Sequence, residues 1–184
     1  MKKHIGILIM MVALTIGGFS QDFMPSIGLE VAIPTGDFGD AYTLGYGLSA
    51  AAELPLGDNL GVTLTAGYLL LSPDSEIKDF IKSSSMIPIQ AGLKYYFSEQ
   101  QSGIYAHVQV GVHSFSLTTE DFDFGGITVK GETTSESNLS FAPGAGFMIN
   151  EKLDLALRYN IITAGSDEGA ESSSYLGFRV AYGF

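Results

Sequence analysis

Cysteine is absent from the sequence, basic residues are scarce, and no apolar run is long enough to cross a membrane as a helix. The first absence excludes a disulfide framework, a thiolate metal site and a cysteine nucleophile. The second, 9 Lys and Arg against 20 Asp and Glu, excludes the basic surface that holds nucleic acid, so no nucleic-acid partner is expected. The third counts because a spanning helix needs about 20 consecutive apolar residues. The longest candidate, Ile5 to Ile16, has only twelve. Charged residues of both signs make up just 16% of the chain, and no repeat of solenoid period divides its 184 residues, so one domain is expected.

The N-terminus fits a secretory signal. Lys2 and Lys3 supply a positive start, IGILIMMVALTI the short apolar core, and Gly18 and Ser20 the small residues that a signal peptidase reads. Residues 1–20 are therefore expected to be removed by cleavage between Ser20 and Gln21, leaving 21–184 as a barrel domain. Loss of the two lysines leaves 7 bases against 20 acids, a net charge of −13. Without a spanning helix, a mature chain enters a membrane only as a closed barrel, in which strands satisfy one another's backbone groups.

What the chain has in abundance is alternation. In its last stretch, Leu176, Phe178, Val180, Tyr182 and Phe184 alternate with Gly177, Arg179, Ala181 and Gly183. A period of two marks a strand with two unlike faces. Seven earlier runs repeat the pattern, giving strands over 26–34, 43–54, 60–71, 86–97, 104–116, 139–149, 153–164 and 174–184. Most have the length that a tilted strand needs to cross a bilayer, about 9–11 residues. One face of each is apolar without interruption, as in Ile27, Leu29, Val31 and Ile33, or Leu60, Val62, Leu64, Ala66, Tyr68 and Leu70. The connections 55–59, 98–103 and 150–152 are short and turn-like, and the other four are long. Tight turns at one end and long loops at the other are the asymmetry of an outer-membrane barrel. The fold class that follows is all-β, an eight-stranded antiparallel up-and-down transmembrane β-barrel.

A soluble barrel with its apolar face inward is the competing arrangement. An eight-stranded interior is only just wide enough for side chains to fill, so the bulky faces do not fit inside. The opposite face is chiefly Gly, Ala, Ser and Thr, far from the Lys- and Glu-rich surface of a soluble protein. Aromatics also gather near strand ends, with Phe23, Tyr95, Phe97, Phe147, Tyr182 and Phe184 at the short-turn end. Tyr42, Tyr46, Tyr68 and Phe141 lie towards the loop end. Two such girdles mark two membrane interfaces, and the apolar face is expected to meet lipid.

With its signal segment, eight strands, loop asymmetry and terminal AYGF, the chain resembles the small outer-membrane β-barrels of the OmpA/OmpX type and the related PorT-like barrels, over about 22–184. The resemblance implies the outer membrane of a Gram-negative bacterium as its location. It also implies outer-membrane lipid and the barrel assembly machinery as partners, with Phe184 as the terminal aromatic that the machinery recognises. The family includes anchors, adhesins and small pores, so the resemblance specifies architecture better than activity.

The inward face holds Glu30, Glu53, Gln90, Lys94, His107, Gln109, His113, Asp154, Arg158, Asn160 and Arg179. Glu30, Arg158 and Arg179 lie near mid-height on the first, seventh and eighth strands, neighbours once the barrel closes. They are expected to form a charge cluster in the lumen, with Lys94 and Glu53 as further members. Charges there must be paired or wet, because an unpaired buried ion costs several kcal/mol. The cluster reads as a plug or, alternatively, as a gate. His107 and His113 share a strand but stand ~20 Å apart at ~3.3 Å per residue, too far for one metal. Ser114 points away from His113, and Phe115 takes the position where barrel-type lipid deacylases carry serine, so no catalytic residue, metal site or cofactor is expected.

The long loops are acidic, carrying among others Asp37, Asp74, Glu120, Asp121, Glu132 and Glu136. In one, Ser72 and Pro73 are placed to start a short helix whose Ile77, Phe80 and Ile81 cover the mouth or touch neighbouring loops. In the longest, alternation around Gly125-Gly126 predicts a hairpin above the membrane, and 117–138 is the stretch expected to meet an extracellular protein partner. The function read from these features is a non-catalytic outer-membrane barrel whose acidic extracellular loops make surface contacts. A narrow passive pore for small solutes is the alternative, and a rim-site membrane enzyme is a distant third.

Overall fold

A computed structural model describes residues 23–98, 101–124, 127–150, 152–163 and 172–184. The signal segment 1–20, its cleavage point at Ser20 and Gln21, the Gly125-Gly126 turn and loop residues 164–171 lie outside the described residues. The strands are β1 (Met24–Thr35), β2 (Tyr42–Pro55), β3 (Leu60–Pro73), β4 (Ile81–Tyr96) and β5 (Gly103–Thr119), then β6 (Phe122–Phe124), β7 (Ile127–Val129), β8 (Thr133–Ile149), β9 (Leu153–Ile162) and β10 (Ser173–Gly183). Eight of them close into an antiparallel barrel in the order β1-β10-β9-β8-β5-β4-β3-β2, while β6 and β7 form a separate hairpin. Closure is made by β1 on β10, in a register that sets Glu30 opposite Arg179.

The faces fall as the alternation predicts. Ile27, Leu29, Tyr46, Leu48, Tyr68, Val110, Leu139 and Phe178 are exposed on the outer wall. Glu30, Gln90, Lys94, Gln109, Arg158 and Arg179 are buried inside. An apolar exterior around a polar interior inverts a soluble protein, and it places the hydrophobic surface against lipid. The short-turn end is held by backbone geometry and amide clamps. Gly57 (φ 112), Gly103 (φ 76), Gln101 (φ 49) and Asn150 (φ 50) take the positive φ of tight turns. Asn59 Nδ2 donates to the Tyr96 and Ser98 carbonyls at 2.9 and 3.0 Å, tying neighbouring turns together.

At the other end the wall is uneven. β4, β5 and β8 reach 16, 17 and 17 residues, against 12, 10 and 11 for β1, β9 and β10. These extensions were not visible as alternation because both of their faces stand beyond the apolar band, which removes the contrast between the faces. On the outer face of β5 and β8, the apolar Val112 and Leu139 give way to cross-strand hydroxyl pairs. Ser114 meets Ser137 at 2.7 Å, Ser116 meets Ser135 at 3.1 Å, and Thr118 meets Thr133 at 3.0 Å.

Two expectations for this end need correction. Tyr42 is 6% exposed and faces the lumen, not the membrane girdle. A register shift between Tyr42 and Leu44 adds one residue to β2, and one extra residue reverses which face a side chain takes. Ser72 and Pro73 do not start a helix, because both continue β3. Asp74 starts the turn instead. Its carboxylate accepts from the Glu76 N–H at 3.0 Å and its carbonyl from the Lys78 N–H at 3.0 Å, leading into a single 3₁₀ turn at Lys78–Phe80. Phe80 is 62% exposed and does not cover the mouth, but its carbonyl accepts from the Glu120 N–H of the neighbouring loop at 3.0 Å. That place belongs to Phe38 on α1 (Asp37–Ala41), which is buried against Tyr42 and Phe115.

Candidate functional site

The lumen is lined by side chains that the strand register delivers to one another. Near the short-turn end, β2 supplies Glu53, β4 Lys94 and Tyr96, β5 Tyr105, and β9 Asp154. Lys94 Nζ bridges the Glu53 and Asp154 carboxylates at 2.9 and 3.0 Å. Tyr96 donates to Glu53 Oε1 at 2.8 Å and Tyr105 to Asp154 Oδ1 at 2.5 Å. The Lys94 ammonium also stands 4.3 Å from the centre of the Tyr105 ring, a cation–π distance. Small residues make room for this packing. A side chain at Gly146 would overlap the Tyr105 phenol, and one at Gly144 the His107 ring. The glycines of β8 thus accommodate neighbouring side chains as well as curvature.

At mid-height Arg158 Nη2 meets Glu30 Oε2 at 2.6 Å, and Arg158 Nη1 donates to Gln109 Oε1 at 3.1 Å. Arg179, opposite Glu30 in the register, faces its other oxygen at 3.5 Å but spends its hydrogen bonds elsewhere. Its Nε donates to Ser49 Oγ at 2.9 Å and its Nη2 to Ser26 Oγ at 3.0 Å. Its Nη1 reaches Asp154 Oδ2 at 3.5 Å, which links the two groups. Glu30, Arg158, Arg179, Lys94 and Glu53 thus belong to one chain of contacts, completed by Asp154. Three carboxylates and three cations leave the buried network with no net charge.

Above it, Gln90 Nε2 lies 3.3 Å from Asn160 Oδ1 and 3.4 Å from Ser140 Oγ, and His113 Nε2 pairs with the Tyr175 hydroxyl at 2.8 Å. These layers separate two cavities that share no lining residue. The lower, about 40 Å³, is lined by Glu53, Lys94, Asp154, Arg158 and Arg179 among others, and holds at most a few waters. The upper, about 290 Å³, occupies the long-loop end between Phe38, Tyr42, His113, Phe115, Glu136 and Asn138.

Asp154, expected on the inward face but not in the cluster, joins it, and Tyr96, Tyr105 and Tyr175 also face inward beyond the residues expected there. All three tyrosines sit at inward parity beside carboxylate or histidine partners, and that parity was the signal available. His107 and His113 meet no common partner. No group of His, Asp and Glu suited to a metal occurs among the described residues. Ser114 Oγ pairs with Ser137 on the outer wall, on the opposite face from His113.

A family model described as "Outer membrane protein beta-barrel domain" matches residues 7–184. No curated protein sequence matches the chain. Solved structures resemble it in fold. The N-terminal β-barrel domain of OprF from Pseudomonas aeruginosa is 14% identical with a TM-score of 0.59, over 88% of this chain and 97% of that one. Ail, the attachment invasion locus protein of Yersinia pestis, is 14% identical with a TM-score of 0.60, over 89% and 98%; it has also been solved with the heparin analogue sucrose octasulfate. Neisserial surface protein A is 16% identical with a TM-score of 0.54, over 88% and 97%.

Proposed function

This chain belongs to the outer membrane protein β-barrel domain family, a barrel of the Gram-negative outer membrane, and from that premise we infer that it is a non-catalytic surface protein acting through its long-loop end. The observation that carries the reading is the septum between the two cavities. Among the described residues, the Arg158–Glu30 pair, the Gln90–Asn160–Ser140 layer and the His113–Tyr175 pair cross the lumen, which supports a lumen closed to solutes. That weighs against the narrow-pore alternative. The separation of Ser114 from His113 weighs against a rim-site enzyme. The remaining chemistry lies outside the membrane, in the acidic loops and the tall β5–β8 ribbon with its β6–β7 hairpin.

The sign of the loops selects the partner. Ail binds a sulfated, anionic sugar analogue, whereas the loops here carry Asp37, Asp40, Asp74, Asp79, Glu120, Asp121, Glu132 and Glu136 against Lys78, Lys82 and Lys130. A basic protein surface is the complementary partner. Two measurements test the reading. Refolded protein in a planar bilayer is expected to give no steady conductance, and regular channel steps would restore the pore. Proteoliposomes are expected to bind a polylysine-coated surface less as salt shortens the screening length to ~8 Å at 0.15 M. Replacing 120–131 with an Asn-Gly turn, which rejoins Thr119 to Glu132, should weaken that binding. Undiminished binding would remove the hairpin from the contact surface.

A further inference from the structure

In a narrow barrel whose side chains leave only about 40 Å³ in the lower cavity, the upper one stands out. Its volume, about 290 Å³, sits at the lower end of small-ligand pockets, which run from about 300 to 1,000 Å³. Its walls divide by chemistry. On one side Phe38, Tyr42 and Phe115 form a three-ring cluster with centroids 5.3–5.7 Å apart. Beside that cluster, β8 presents Glu136, the register partner of Phe115, and the Glu136 Oε1 accepts from Asn138 Nδ2 at 3.0 Å, so the carboxylate is oriented by its neighbour. Among the described residues, Glu136 is the one charged residue lining the cavity.

At the floor lies His113. One ring nitrogen is taken by Tyr175, while Nδ1 is buried with no hydrogen-bond partner among the described residues. When the imidazole proton is on Nε2, Nδ1 is an acceptor for an N–H group. The arrangement is not a by-product of strand length alone. α1 is folded back into the mouth, past Gly36 at φ 61, and the β2 bulge turns Tyr42 inward, so two separate local features bring rings to the same wall.

We propose that this vestibule is a binding site for a small organic cation bearing an aromatic or aliphatic group. The apolar part lies on the ring cluster and the ammonium meets the Glu136 carboxylate, with ring faces adding cation–π attraction. Among the described residues no Lys or Arg lines the cavity to receive an anion, and a neutral apolar guest would take Glu136 out of water without compensation. The acidic loops around the mouth raise the local concentration of cations and exclude anions. This deepens the reading of the long-loop end as the contact surface, yet it uses residues that the hairpin replacement leaves in place.

The test uses full-length mature protein refolded in lipid nanodiscs, with phenethylammonium titrated calorimetrically against empty nanodiscs. Phenethyl alcohol and 3-phenylpropionate serve as neutral and anionic counterparts. The ammonium is expected to bind at least about tenfold tighter than either, a gap of one electrostatic contact. Glu136→Gln should abolish that preference, and Glu132→Gln, outside the cavity, should keep it. Phe115→Ala should weaken the ammonium further; if it does not refold, the exposed Glu136→Gln substitution carries the test alone. Equal binding of the three probes, absence of ammonium binding at 10 mM (roughly the weakest affinity worth measuring), or an unchanged preference in Glu136→Gln would each overturn the site. Replacing 120–131 with Asn-Gly separates the two readings: ammonium binding should persist there even if polylysine binding is lost, and loss of both would place the cation on the hairpin and overturn the vestibule.

Discussion

Removing Arg158 alone should be among the most damaging single changes in the barrel, and removing it together with Glu30 should be much milder. Arg158→Met leaves Glu30 with Arg179 at 3.5 Å as its nearest cation and gives a previously neutral network a net charge of −1. Breaking a buried pair in this way costs about 3–5 kcal/mol. An independent figure agrees, since unit charges 4 Å apart at an effective dielectric of 20 interact by about 4 kcal/mol. Glu30→Gln errs in the opposite direction, to +1, and strands Arg158. The double variant restores neutrality, so its cost should fall short of the summed single costs by at least ~2 kcal/mol. The chain has no tryptophan, so urea unfolding in lipid vesicles would be followed by far-UV circular dichroism, with gel mobility of the folded barrel as a second probe. Single costs that add within about 0.5 kcal/mol would refute the argument, because they would mean that the two groups do not sense each other.

Four further outcomes follow from the same geometry. Tyr105→Phe removes the donor to Asp154 at 2.5 Å and should lower unfolding stability by about 1.5–3 kcal/mol, the range for hydrogen bonds to charged groups. Gly111→Ala drives a methyl against the Ile89 carbonyl and to 2.7 Å from Gln90 Cα, so refolding yield should drop or stability fall by about 1–3 kcal/mol. Gly67→Ala meets Pro88 Cγ at 3.1 Å and should be the milder of the pair in the same urea titration. Phe184→Ala removes a girdle aromatic that is 70% exposed on the outer wall and so meets the membrane rather than packing in the lumen, and it should leave the barrel able to refold in vitro while reducing the amount inserted into the outer membrane of cells. Normal insertion would show that the assembly signal lies elsewhere.

The wall was legible because lipid on one side and a packed lumen on the other impose opposite demands on successive residues. Leu29 and Glu30, or Val180 and Arg179, cannot exchange places, and the alternation records it. The lumen was legible in its membership but not in its pairing. Glu30 and Arg179 are register partners, yet Arg158 takes the short contact. That choice depends on the reach of side chains across the barrel, which a linear pattern does not contain. The mouth was least legible. Tyr42 fits the outward parity until one extra residue in β2 reverses it, and Phe38 sits in a five-residue helix too short to show a period. Above the membrane, strands such as Ser83–Ser85 and Thr133–Ser137 have hydroxyls on both faces, so nothing in their composition announces that they continue.

The tall ribbon has a mechanical consequence. β5 and β8 pair without a register shift from Gly103↔Met148 to Thr118↔Thr133, so the base of the hairpin and the short-turn end are joined by one continuous ladder. A partner that holds the tip and is dragged away from the cell pulls along the strands rather than across them. The load then acts in shear on many hydrogen bonds at once, instead of unzipping them singly, and β4 and β9 share it on either side. For any partner that bound there, the expected point of failure under load is the contact rather than the barrel.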